Sequence, residues 1–243
     1  MKFNFFKLIE DKYKTRLSLK RPIVVRLDGK NICKNLDINM LDETPGGFAY
    51  ALKNTAKHLS RKFNTICIAS SDEISIIFLK PEILQTMYSK LDCQKVSSLI
   101  SQEVFLNFNK FYGSNHIYFD ARSFNIPTEK ALSYILYRKA SAENVYTIYY
   151  AKRLMTTKER IGLKQGELTK KLNKISNDFK HRTTHNTIGS FYFDGVELSF
   201  SDINSYKQED NLYIYLKKVA LGKISSSYKV ICNNDDSEDD LFL

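Results

Sequence analysis

Residues 65–79, TICIASSDEISIIFL, decide the fold. Two short β-favouring runs, TICIAS (65–70) and ISIIFL (74–79), meet at the polar tetrapeptide Ser70, Ser71, Asp72 and Glu73, which reads as a hairpin turn. Tight hairpin turns favour Gly or Asn. This one has neither, so its acidic residues have a reason of their own to be there. Upstream, RPIVVRLDGK (21–30) alternates as a strand with Ile23, Val25 and Leu27 on one face, and Asp28 falls at its C-terminal end, followed by Gly29. Between these runs, Phe48, Leu52, Ala56, Leu59 and Phe63 recur at helical spacing. After the hairpin, a second helix spans roughly 82–111 with a break near Leu91, carrying Val96, Leu99, Ile100 and Leu106. HIYFDARSFNIP (116–127) reads as a further strand ended by Pro127.

The order β-α-β-β-α-β is the split βαβ arrangement of ferredoxin-like and polymerase-palm domains. The fold class is therefore α/β (α+β): an antiparallel palm-like sheet with helices on one face, plus a mainly helical C-terminal appendage. A right-handed crossover makes the first two strands parallel and places the third between them. The hairpin tip then lies beside the C-terminal end of the first strand, which brings Asp72 next to Asp28. Residues 1–137 are read as the palm-like catalytic domain and 138–232 as a basic, mainly helical region. The tail NNDDSEDDLFL (233–243) is acidic and expected to be disordered.

With 43% hydrophobic and 13% aromatic residues, the chain has ample material for a core, which excludes wholesale disorder. A formal net charge of +10 favours a polyanionic partner such as nucleic acid or nucleotide phosphate. Cys33, Cys67, Cys93 and Cys232 are scattered without a CxxC pair, so neither a disulfide framework nor a zinc site is implied. The four His residues have no metal spacing, and His181 and His185 read as surface residues. No run approaches a membrane span and no signal-peptide pattern opens the chain, so a soluble, cytoplasmic protein without a membrane partner is expected.

Two carboxylates converging at a sheet edge are suited to hold two hard cations roughly 4 Å apart for in-line phosphoryl transfer. Mg2+ suits oxygen ligands and keeps substrate phosphates in its shell. Asp28 and Asp72 are the candidate ligands. Gly29 lets its backbone carbonyl approach a metal, and Glu73 is a further ligand or a partner behind the ligands. A strand-end aspartate is ordinarily just solvated; the convergence is what argues otherwise. Lys95, on the second helix, and Arg122, sharing a face with Asp120, are candidates for the triphosphate, although a surface salt bridge is the commoner use of either. From Lys152 to Arg182 there are ten Lys or Arg against three Asp or Glu, a stretch that either tracks an RNA backbone, with Lys170, Lys171 and Lys174 foremost, or is a solvated helix face. The Gly46 and Gly47 pair carries no specific signal.

PIVVRLDGKNI (22–32), SSDEISIIF (70–78), QKVSSLIS (94–101) and FDARSFNIP (119–127) together resemble the blocks of the tRNA(His) guanylyltransferase family. They are most similar to its bacterial-type members, the guanylyltransferase-like 3′-5′ RNA polymerases. The resemblance covers Lys12 to Arg138 and thins afterwards. It implies a palm that adds nucleotides to the 5′ end of tRNA or tRNA-like RNA, by guanylyl addition or templated repair, with ATP or GTP as substrates and typically as a homotetramer. It further implies that Asp28, the Gly29 carbonyl and Asp72 are metal ligands with Glu73 beside them, and that Lys95 and Arg122 bind nucleotide. Lys30, Asn31 and Ser98 in the same blocks are nucleotide candidates. Arg138 and Asn144, in YRKASAEN (137–144), are RNA candidates.

The sequence departs from the family pattern at Cys33, where His is usual, around Pro45, Gly46 and Gly47, and at Ser141, where an aspartate is lost. The HINN block of enzymes that place one guanosine on tRNA(His) is missing. These departures favour templated 5′-end repair. A palm-type nucleotidyl cyclase, or a catalytically silent RNA-binding protein that kept the palm, are the alternatives.

Overall fold

The computed structural model describes residues 15–30, 32, 38–87, 91–113, 117–184, 189–204, 206 and 211–235. The first half folds as β1 (Ile23–Gly29), α1 (Phe48–Lys62), β2 (Ile66–Ser70), β3 (Glu73–Phe78), α2 (Glu82–Met87), α3 (Cys93–Tyr112) and β4 (Phe119–Asn125). The second half supplies α4 (Ala131–Leu154), α5 (Thr157–Arg160), α6 (Gln165–Ile175), α7 (Asn177–Thr184), β5 (Ser190–Phe193), β6 (Val196–Leu198), α8 (Phe200–Asn204) and α9 (Leu212–Asp235).

The strands form one six-stranded sheet in the order β4-β1-β3-β2-β5-β6. β3 runs antiparallel to both β1 and β2, so those two are parallel to each other with β3 between them, as the crossover rule requires. On one face Ile23, Val25 and Leu27 of β1 and Ile74, Ile76 and Phe78 of β3 pack against Phe48, Leu52 and Leu59 of α1 and Val96, Ile100 and Phe108 of α3. Burying each such side chain contributes about 1.5–3 kcal/mol. α3 starts where it does because the Asp92 carboxylate accepts the Gln94 and Lys95 backbone N–H groups at 2.9 and 3.2 Å, which accounts for the break near Leu91. Leu106 is 64% exposed, unlike the core role its apolar character suggested. The buried positions of α3 step by four through Val96, Ile100, Val104 and Phe108, and Leu106 falls on the opposite side.

The second half is less separate than the sequence suggested. The expected boundary at 137/138 lies inside α4, and β5 pairs with β2 in the register Ile66↔Phe193 and Ile68↔Phe191. Helices α1 and α3 of the first half pack on one face of the sheet, and Tyr146 and Tyr150 of α4, Leu172 of α6 and Phe179 of α7 join the same apolar cluster. The other face carries Val24, Ile66, Ile68 and Ile77, roofed by Ile135 of α4, Ile203 of α8 and Leu216 of α9. The physical reason is in the strands themselves: they are apolar at consecutive positions, and a strand apolar on both faces needs cover on both. α9 runs on through residues 233–235; residues 236–243 of the acidic tail lie outside the described residues, as do Asn31, Cys33 and His185. No helix among the described residues is long and apolar enough to cross a membrane.

Gly47, read as carrying no signal, has a steric task as the residue before α1. A Cβ there would lie 2.5 Å from both the Cγ and the backbone oxygen of Asp42, and the backbone atom cannot rotate away. Gly47→Ala is expected to lower unfolding stability by about 1–3 kcal/mol, as overpacking does. Urea titration checks this; an unchanged midpoint would show that the Asp42 turn yields freely.

Candidate active site

The site lies at the C-terminal end of β1, on the face roofed by α4. The hairpin between β2 and β3 turns at Ser71 and Asp72, and its tip docks on β1 through the Gly29 N–H, which donates to the Asp72 carbonyl at 2.8 Å. Two local features permit this. Ser71 takes a left-handed backbone (φ 51°), which costs a residue with a side chain about 1–3 kcal/mol and is typical of functional turns. Gly29 leaves no room for anything else: a Cβ would sit 2.7 Å from Ile32 Cγ1 and 3.0 Å from the Asp72 carbonyl oxygen. These contacts require a glycine at position 29 for the seat of the hairpin.

Three acids form a row across three strands, because Glu73 of β3 and Asp120 of β4 are both in register with Asp28 of β1. Arg26 lies one pleat behind, in register with Ser75 and Arg122. Directly opposed like charges repel, and the cations behind them offset part of that. Glu73 is buried, and both its oxygens are engaged. Oε2 accepts from Arg26 Nε at 2.6 Å and from Arg138 of α4, and Oε1 accepts from Ser75 Oγ at 3.0 Å. Both Glu73 oxygens are thus occupied by partners within the protein. Asp28 is half-exposed, and its carboxyl pKa is raised by partial burial and next by the neighbouring Asp72 carboxylate. Asp72 is itself 7% exposed, and Ser71 Oγ donates to its Oδ1 at 3.1 Å. Arg26, Asp28, Asp72, Glu73, Arg138 and Ser141 line a cavity of about 390 Å³.

The other expected site residues divide. Arg122 joins Arg26, Asp28 and Asp120 around a small adjoining cleft, and with Ser98 it borders an open groove between α3 and β4. Lys95 is exposed in the first turn of α3, and Lys30 is exposed just past β1. Lys170, Lys171 and Lys174 are exposed on α6, and Asn144 is exposed on α4. Arg138 is a correction: expected on an RNA surface, it is 6% exposed and gives its guanidinium to Glu73, so it cannot track a phosphate backbone. Arg26 and Asp120 were missed as site residues. Period-two spacing was the available signal, since Arg26 stands two before Asp28 and Asp120 two before Arg122.

In its arrangement the site pairs two carboxylates at the mouth of a cavity with guanidinium groups behind and beside them. The sequence model described as tRNAHis guanylyltransferase matches residues 3–127 of this chain. No curated protein matches the sequence significantly. A bacterial tRNA(His) guanylyltransferase-like protein solved in complex with ATP is similar in structure at a TM-score of 0.68 and 20% identity, over 86% of this chain and 92% of that one. Such a protein in complex with GTP gives 0.58 and 20% over 78% and 83%. The tRNA(His) guanylyltransferase of Saccharomyces cerevisiae gives 0.58 and 18% over 82% and 98%. At these identities the likeness speaks to the fold.

Two substitutions separate stability from function here. A carboxyl with a raised folded-state pKa stabilises the fold only when protonated, so ionised Asp28 weakens the metal-free protein at neutral pH. Asp28→Asn is expected to raise the metal-free thermal midpoint at pH 7, with the gain shrinking as pH falls and the wild-type carboxyl takes up its proton. Glu73→Ala strands the buried Arg138 and is expected to cost about 3–5 kcal/mol. Thermal scans from pH 4 to 8 test the pair; a lower midpoint for Asp28→Asn would mean that the acid row is not strained.

Proposed function

The chain belongs to the tRNA(His) guanylyltransferase family, and we propose that it is a magnesium-dependent nucleotidyltransferase that extends the 5′ end of tRNA or a tRNA-like RNA in the 3′-5′ direction. The observation that carries this reading is the convergence of Asp28 and Asp72, held by the Gly29 N–H on the Asp72 carbonyl. Mg2+ uses one or two protein carboxylates and fills the rest of its shell with substrate phosphates and water. Among the described residues no three His, Cys, Asp or Glu gather as a metal cage, so the metal reading rests on the Asp28 and Asp72 pair with the substrate phosphates. The like-charge crowding on Asp28 is also the condition that a dication relieves. Asp28, Asp72 and the Gly29 carbonyl would hold two such ions, which supply charge stabilisation to the transferring phosphoryl group and acidify the attacking hydroxyl.

The chain's own groups do the remaining work. Glu73, fixed by Arg26 and Arg138, keeps the rear of the site rigid and takes no ligand position. Arg122 and Ser98, with Lys95, Lys30 and Asn31, bind the nucleoside triphosphate, for which guanidinium and ammonium groups suit phosphate oxygens. The ATP and GTP complexes of the bacterial relatives support these nucleotides as substrates. Lys170, Lys171 and Lys174, with Asn144, face the RNA. The attacking group is the 3′-hydroxyl of the incoming nucleotide and the acceptor is the activated 5′ phosphate of the RNA, with Watson–Crick pairing choosing the base. Paired carboxylates serve either direction of growth, so direction rests on family membership. The working form is a cytoplasmic homotetramer.

The test offers tRNAs lacking one 5′ nucleotide, varies the opposing base, and maps the labelled end. Growth at the 5′ end that follows the opposing base is expected, and Asp28→Ala or Asp72→Ala should each reduce it by at least about 100-fold. Growth at the 3′ end alone defeats the reading. Cyclic products from nucleotide alone turn it into a cyclase, and RNA binding without any nucleotide transfer turns it into a silent binder.

RNA affinity should also fall steeply with salt. Replacing Lys170, Lys171 and Lys174 by Gln should flatten the plot of log affinity against log salt by about 0.9 for each phosphate that the protein no longer neutralises. An unchanged slope would return α6 to a solvated helix face.

A further inference from the structure

α4 lies against the cavity with one stripe and presents a second to solvent. Its cavity stripe is Arg138, Ser141, Ala142 and Val145. At 100° per residue, Tyr137, Ser141, Asn144 and Ile148 form the neighbouring stripe, and Ser141 belongs to both. This second stripe is uncharged. Between Lys139 and Lys152 the only ionic side chain of the helix is Glu143, which pairs with Lys139 at 3.4 Å. It is also open, with Tyr137 60% and Ile148 49% exposed, and with Asn144 exposed between them. The Tyr137 ring is braced from beneath: the Arg138 guanidinium lies 5.3 Å from its centroid and the Tyr134 ring 6.3 Å. A large exposed aromatic held in a fixed pose is costly unless something covers it.

We propose that the Tyr137–Ile148 stripe is the platform on which the terminal base of the RNA stacks while its 5′ phosphate enters the cavity. This rests on the RNA-extending reading above and assigns it a binding surface. Two observations select nucleobases as the occupant. The stripe is continuous with the cavity through Ser141, so whatever covers it stands at the reacting end. It is also uncharged on a chain of net charge +10, which draws a polyanion in while offering the flat, uncharged part of that polyanion a matching surface. A second copy of this chain is the rival occupant, and particle mass in the experiment below distinguishes it from RNA. Stacking on Tyr137 accepts any base, as an enzyme guided by pairing requires, and Asn144 is in place to hydrogen-bond the edge of a base or its ribose.

The experiment uses a 5′-truncated tRNA carrying 2-aminopurine at its terminal position, with wild type, Tyr137→Ala and Tyr137→Phe. Wild type and Tyr137→Phe should quench the fluorophore on binding, and Tyr137→Ala should not. Tyr137→Ala should raise the KM for RNA by about ten-fold or more, with a smaller effect on kcat and on the KM for nucleotide, and Tyr137→Phe should restore it. Equal quenching by all three proteins, or equal KM values, overturns the platform while leaving nucleotide addition in place. A drop in particle mass for Tyr137→Ala by light scattering overturns it differently, by giving the stripe to a second copy of the chain. If wild type adds nothing to the RNA, it is the activity reading that fails instead.

Discussion

One hydrogen bond fixes the rest of the site: the Gly29 N–H to the Asp72 carbonyl, 2.8 Å across the gap between the end of β1 and the β2–β3 turn. It forms only because β3 inserts antiparallel between two parallel strands, which puts the turn at the same level as the end of β1. It also requires that position 29 carry no side chain and that Ser71 accept a left-handed backbone. Two carboxylates far apart in the chain are thereby brought together without either being responsible for the contact. Their mutual repulsion is borne by backbone geometry.

Behind that contact, Glu73 works as an anchor. It takes a guanidinium from β1 and another from α4, so a helix of the second half is tied into the floor of the cavity. Pulling charged groups out of water is repaid only if every oxygen finds a partner, and Ser75 supplies the last one. The cost of this network is offset by the apolar floor beyond it, where Val24, Ile66, Ile68 and Ile77 meet α4, α8 and α9. The face of the sheet is thus polar towards the hairpin tip and apolar towards the other end, and α4 spans both.

The convergence of Asp28 and Asp72 was legible in the sequence because it follows from element order and crossover handedness, neither of which depends on side-chain detail. The break before α3 was legible as well. The burial of Arg138 was not: nothing local in YRKASAEN shows that one arginine points inward to a carboxylate 65 positions away. Period-two spacing puts Arg26 on the face of Asp28 and Asp120 on the face of Arg122, but which residues they meet across the sheet follows from strand register. The second cover of the sheet is readable in principle from Ile66, Cys67 and Ile68 and from Ile76, Ile77 and Phe78, which are apolar at consecutive positions, although the fold class read from element order places helices on one face only. Close approaches such as Gly47 against Asp42 depend on how a loop folds back, which composition does not encode.

β5 has a consequence for where this protein can be cut. The family match ends at residue 127, yet β2, the outer strand of the β2–β3 hairpin, hydrogen-bonds on its far side to β5, which begins some sixty residues beyond that end. A chain stopped after the matched stretch would leave β2 as a bare edge and strip Ile66 and Ile68 of Phe191 and Phe193. Such an edge, flat and apolar, is a template for another copy of itself. The stretch that the family model matches is therefore not a portion that can be detached. Recombinant fragments ending there should be sought in the insoluble fraction, and a minimal soluble unit has to reach past β6.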